Sequence, residues 1–138
     1  MRAIVALIFF VLSFYGCTEK LEYTKSEVWA LAKKEDPSVE LVIPKDMSSG
    51  ITCEGYGEGC ITGFKVKIGV LEAVVIQFDE MKNARKAAKR IDQYYKYNWV
   101  FDNVTDEPRL ERFFEKVYEA VRPMKYKSES GGIKGKSI

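Results

Sequence analysis

The chain has 138 residues, 46% hydrophobic and 30% charged, with 22 Lys/Arg against 20 Asp/Glu and no histidine. The absence of histidine excludes Ser-His-Asp and Cys-His catalysis, His-based zinc sites and an imidazole pH switch. Residues 18–123 hold 17 Lys/Arg and 19 Asp/Glu, a net −2, while residues 124–138 hold four Lys and one Glu, a net +3. The central part therefore lacks the bulk positive charge of a nucleic-acid-binding domain.

The chain opens with Met1-Arg2, an apolar run from Ala3 to Phe14, and then Tyr15-Gly16-Cys17. As a helix the apolar run would span roughly 18 Å, well short of a bilayer core of about 30 Å, so it reads as an export signal rather than a membrane span. The stretch Leu12-Ser13-Phe14-Tyr15-Gly16-Cys17 resembles the lipobox of bacterial lipoproteins. Gly16 and Cys17 match that pattern; Phe14 stands where it usually has Leu, and Tyr15 where it has a small residue. The resemblance covers the first 17 residues. It implies cleavage before Cys17 and a thioether-linked diacylglycerol on its sulfur, with an N-terminal acyl chain such as palmitate. Two or three acyl chains hold a protein stably on a membrane where one does not. Thr18 in place of Asp implies, by the same resemblance, transport to an outer membrane, with the protein facing the periplasm. The alternative is an uncleaved hydrophobic anchor with an incidental Cys.

The expected organisation is a signal peptide over 1–16, a lipidated Cys and tether over 17–24, one domain over 25–123 and a disordered basic tail over 124–138. The domain opens with a helix from Lys25 to Glu35: Thr24 and Glu27 have capping-box spacing, and Tyr23 with Val28 has hydrophobic-staple spacing. Val28, Leu31 and Ala32 form its apolar stripe, with Trp29 beside it packing on the core rather than entering a membrane interface. Asp36-Pro37 ends the helix. Val39–Ile43 reads as a first strand, stopped by Pro44. Ile51–Ile68 reads as a hairpin-like unit whose tip is Cys53-Glu54-Gly55-Tyr56-Gly57-Glu58-Gly59-Cys60, with Gly69 marking a turn or bulge. Val70–Phe78 is nearly continuous apolar sequence, which suits a central strand covered on both faces.

Asp79 is placed to cap a second helix from Glu80 to about Tyr97, on the 3–4 spacing of Ala84, Ala87, Ala88, Ile91, Tyr94 and Tyr95. Asn98–Val104 follows as a strand, with Trp99 and Phe101 on one face and Val100 and Val104 on the other. Strand, helix and strand in succession predict a right-handed crossover between parallel strands. Pro108 fits the first position of a third helix that Pro123 ends, with Leu110, Phe113, Phe114, Val117, Tyr118 and Val121 as its apolar stripe. The fold class expected is α+β: one domain, a mainly antiparallel sheet of four or five strands with one parallel βαβ crossover, and helices mostly on one face, with a ferredoxin-like arrangement as the nearest named form.

Three groups of residues bear on function. Of three cysteines in an exported chain, Cys17 takes lipid and Cys53 and Cys60 remain to form a disulfide; a tip so stapled either presents Tyr56 to a partner or is a plain hairpin end. Helix two carries Lys82, Arg85, Lys86, Lys89, Arg90 and Lys96, opposed only by Glu80 and Asp92, either a patch for anionic lipid head groups or cell-wall polymer, with Lys86, Lys89 and Arg90 as contacts, or a solvated face paired locally. In the paired case, this basic ridge would border the acidic ridge Glu107, Glu111, Glu115 and Glu119 of helix three. The carboxylates Glu72, Asp79, Asp102, Asp106 and Glu107 offer a weaker, glycosidase-like pairing of Glu72 with Asp102. No cofactor motif, metal-ligand set or catalytic constellation is found. The expected role is a membrane-tethered envelope module that is not an enzyme and that binds or scaffolds an envelope protein or cell-wall polymer. A small envelope inhibitor or immunity protein is the alternative, and a hydrolase ranks third.

Overall fold

The computed structural model describes residues 21–42, 51 and 53–124. Cys17, the signal and the tail after Met124 lie outside the described residues. Within them the chain runs α1 (Lys25–Glu35), β1 (Glu40–Val42), β2 (Cys60–Ile68), β3 (Leu71–Phe78), α2 (Met81–Ile91), β4 (Tyr94–Lys96), β5 (Trp99–Asp102) and α3 (Pro108–Tyr118). The fold is α+β, and every strand pair is antiparallel, in the order β1-β2-β3-β5-β4.

α1 starts as its spacing predicts. Thr24 accepts from the Glu27 N–H at 3.2 Å and Glu27 accepts from the Thr24 N–H at 2.7 Å, a complete capping box. Trp29 packs on the core. β2 and β3 meet through the two-residue turn Gly69-Val70, which needs a positive φ at its first position; Gly69 supplies +63°. β3 is the central strand, as its apolar run implies. Ala73 and Val75 face one side, and Val74, Ile76 and Phe78 face the other.

Several expectations are corrected. Ile51–Ile68 is not one hairpin: β2 starts at Cys60 and pairs with β1 and β3, while 53–59 is a turn-rich loop folded back on the domain. α2 stops at Ile91, because Asp92 takes a left-handed conformation (φ 59°, ψ 51°). Tertiary contacts hold that residue: Arg122 grips its carboxylate with two bonds of 3.0 and 2.8 Å, and Thr105 Oγ1 donates to its carbonyl at 2.7 Å. Tyr94 and Tyr95 are thereby released from helical spacing into β4. β5 then inserts between β3 and β4, so the two strands that α2 joins run in the same direction without being neighbours. This is a split β-α-β unit, not a crossover between adjacent parallel strands. The ferredoxin-like form goes no further, because β2 occupies the other flank of β3.

Two of the three helices, α1 and α3, share a face, and α2 lies on the other. α1 and α3 cover Val66, Ala73, Val75, Trp99 and Phe101, whereas α2 covers Val74, Ile76, Phe78 and Val100. Val104 belongs to the α1/α3 side, because Asn103 at φ 61° breaks the alternation of β5. α3 ends at Tyr118, before Pro123, with Glu119 at φ 53°. Val121 is then free to exchange two backbone hydrogen bonds with Tyr95 and cover the edge of β4.

Candidate functional site

The residues singled out in the sequence for partner contact come together on the α2 side of the sheet. Cys53 and Cys60 form a disulfide with Cα atoms 5.6 Å apart. Gly55, Gly57 and Gly59 all take positive φ inside the ring, which lets the loop curl over the end of β2. Gly59 has a further reason to lack a side chain. Its carbonyl accepts from the Asp79 N–H at 2.8 Å, and a Cβ there would strike the Asp79 carboxylate and lie 2.5 Å from Asn83 Nδ2.

Tyr56 is not an exposed tip residue. Its ring is half-buried against the Ile76–Phe78–Ala84 side of the core with Ile51 and Cys60, and its hydroxyl donates to Asp102 Oδ2 at 2.7 Å. Burial and the adjacent Asp102 carboxylate both push the phenol pKa above its ordinary value. Tyr56 is therefore an anchor that holds the loop down. Arg90 acts with it, donating from Nη2 to the Gly55 carbonyl at 2.9 Å. Asp79 does not cap α2 with its side chain. It accepts instead from Asn83 Nδ2 at 2.8 Å, which gives the polar Asn83 a partner on the buried face of the helix. The partners Asp102, Gly55 and Asn83 were not foreseen. Asn83, a polar residue in the inward Ala84–Ala87–Ala88 stripe, carries a signal that could have found it.

The outer face of α2 is uniformly basic. Met81–Ile91 contains Lys82, Arg85, Lys86, Lys89 and Arg90 and no acidic residue. All five are exposed. Lys82 pairs with Glu80 at 3.3 Å, whereas Arg85 and Lys86 have no ion-pair partner among the described residues. The expected pairing of this ridge with α3 does not occur, because the two helices lie on opposite faces of the sheet. The charges of α3 turn instead to α1 and β4: Lys116 meets Glu35 of α1, Glu115 accepts from Tyr94 at 3.0 Å, and Glu119 at the C-cap pairs with Lys96 at 3.7 Å. Of the sequence candidates, then, the structure brings Cys53, Cys60, Tyr56 and Arg90 into one unit and sets Lys86 and Lys89 on the solvent side of the same helix.

The carboxylates do not assemble into a pair. Asp102 is opposite Val74, not Glu72, and its two oxygens are occupied by Tyr56 and by the Asn103 N–H at 2.8 Å. Among the described residues no cluster of three His, Cys, Asp or Glu is arranged to hold a metal ion. A crevice between α1, α3 and the sheet, lined by Val28, Trp29, Phe64, Phe113 and Tyr118, leaves about 10 Å³ of free space, about one water and far below a ligand site. No protein-family model, curated protein or solved structure matches the chain.

Proposed function

We propose that the protein is a lipid-anchored module of the cell envelope that binds or scaffolds a partner, held through Cys17 on an outer membrane and facing the periplasm. The observation that carries this reading is the apolar run ending in Leu12-Ser13-Phe14-Tyr15-Gly16-Cys17. The disulfide between Cys53 and Cys60 supports it, since disulfides persist in oxidising compartments. The surface supports a binding role: a stapled, hydrogen-bonded loop braces a helix whose outer side is all basic charge. Metabolic labelling with a fatty-acid probe tests the anchor. The wild type takes up label and Cys17→Ala does not; equal labelling of the two overturns the reading.

A further inference from the structure

The chain enters its domain at a defined end of the sheet. The Tyr23 N–H donates to Asn98 Oδ1 at 3.1 Å, and Trp99 Nε1 donates to the Tyr23 carbonyl at 2.8 Å. Asn98 O in turn accepts from the Phe78 N–H at 2.7 Å, so Tyr23 sits where β3 ends and β5 begins. α2 starts three residues past Phe78, at Met81. The first turn of α2 thus lies at the end of the domain from which the chain leaves toward Cys17. Cys17 precedes Tyr23 by six residues, a span of at most about 20 Å fully extended.

On α2, Lys82, Arg85, Lys86 and Lys89 follow i, i+3, i+4, i+7 spacing and form a single stripe opposite the buried Ala84, Ala87 and Ala88. The stripe is roughly 11 Å long, by the rise of the helix. Met81, 40% exposed, stands at the end nearest the point of chain entry.

We infer that the outer face of α2 binds the phosphate head groups of anionic lipids in the same bilayer that holds Cys17, so that the anchored domain lies against the membrane. The inference rests on the lipid-anchor reading above. Charge complementarity selects an anionic occupant, and the short tether selects the membrane over a distant polymer. Each basic side chain contributes only about fivefold to binding at an anionic surface. A tether of this length keeps the stripe at a high effective concentration beside the bilayer, so contacts that weak suffice. A basic patch is also the second membrane signal that commonly accompanies an acyl chain.

The test uses the full chain reconstituted in phosphatidylcholine vesicles with and without phosphatidylglycerol. Amine acetylation is read by mass spectrometry at Lys86 and, as a reference across the sheet, at Lys34 of α1. Lys86 becomes several-fold protected relative to Lys34 only when phosphatidylglycerol is present, and high salt removes the protection. Arg85→Ala/Lys86→Ala, both exposed positions, lowers the bound-to-free ratio read at Lys82 and Lys89 by roughly 30-fold, which is ~1 kcal/mol per charge, with an unchanged melting temperature. Protection at Lys86 that ignores lipid composition overturns the inference, as does protection by soluble polyphosphate but not by the vesicles. The mass of the N-terminal peptide in the same samples reports lipid on Cys17. Lipid on Cys17 without composition-dependent protection therefore sinks this inference alone. Protection without lipid on Cys17 sinks the anchor reading and leaves only the affinity of the α2 face for anionic lipid standing.

Discussion

The two sides of the sheet are closed by different means. On the α1/α3 side the layer is thick and aromatic: Phe101 lies 4.6 Å from the Phe114 ring and 4.9 Å from Tyr118, and the Tyr118 hydroxyl donates to the Val28 carbonyl at 2.6 Å. On the α2 side the layer is thin. Ala84, Ala87 and Ala88 bring the helix close to Val100 and Ile76, and the rest of that face is covered by a short loop that a disulfide and three hydrogen bonds hold in place. Thick aromatic packing stabilises through buried area, whereas a thin layer depends on close fit and cross-links. The difference also has a surface consequence. A helix that packs through alanines, with Ile91 at its end, can give nearly all of its outer side to charge, Met81 being the exposed apolar exception.

Four measurements test this contrast. The largest effect is on the thick side: Phe101→Ala removes the centre of the ring cluster and costs about 3–5 kcal/mol in a denaturant titration. A loss under 1 kcal/mol would mean that the aromatic side does not dominate stability. Next comes the staple. Cys53→Ser/Cys60→Ser loses about 2.5 kcal/mol by loop entropy, and the loop, not the sheet, becomes the fast-exchanging region in amide hydrogen exchange. Exchange that stays slow at 53–60 would show that Tyr56 and Arg90 hold the loop unaided.

Third, Ala87→Leu overpacks the thin side and costs about 1–3 kcal/mol, while a leucine accepted without loss would show slack between α2 and the sheet. The smallest effect is at alkaline pH. Burial, first, and neighbouring carboxylates push Tyr94 up to about 12, and Tyr56 on the thin side and Tyr118 on the thick side are also raised. The folded state therefore keeps these phenol protons at a pH where the unfolded chain, with tyrosines near 10, releases them. Their stabilising contribution is complete below about pH 10 and is lost as pH rises toward the folded values. Melting temperatures measured across that window should fall, and Tyr56→Phe should shed part of the slope. Its cost at neutral pH is about 0.5–1.5 kcal/mol for the lost hydrogen bond. An unchanged slope would mean that Tyr56 is not the buried anchor of the loop.

Features that depend on residues a few positions apart were legible in the sequence. The Thr24–Glu27 box starts α1, Pro108 sits at the first position of α3 as expected, and the alternation in β5 set Trp99 and Phe101 on the face opposite Val100, where they are found. Cys53 and Cys60, spaced for a short covalent loop, are joined. These outcomes follow from capping geometry, fixed φ and side-chain period, all of which act within a turn or a strand.

Where an element stops, and which side it covers, depends on partners far along the chain. Ile91, Tyr94 and Tyr95 satisfy helical spacing as well as strand preference, and the choice falls to Arg122, thirty positions from Asp92, which holds the left-handed stop. Val121 fits the apolar stripe of α3, yet it pairs with the exposed edge of β4, because an unpaired strand backbone is costlier than one lost helical turn. Tyr56 looks like an exposed tip until Asp102, forty-six positions away, draws it inward. The expected crossover suggested that α2 and α3 share a face, and only the insertion of β5 between β3 and β4, together with the placement of α3 across the sheet, separates them. Local starts, periods and the covalent loop are thus readable from neighbouring residues alone. The tertiary structure decided stops, strand order and the sidedness of the helices, because left-handed caps, edge pairing and inter-face packing gain their energy from contacts that do not exist until the chain is assembled.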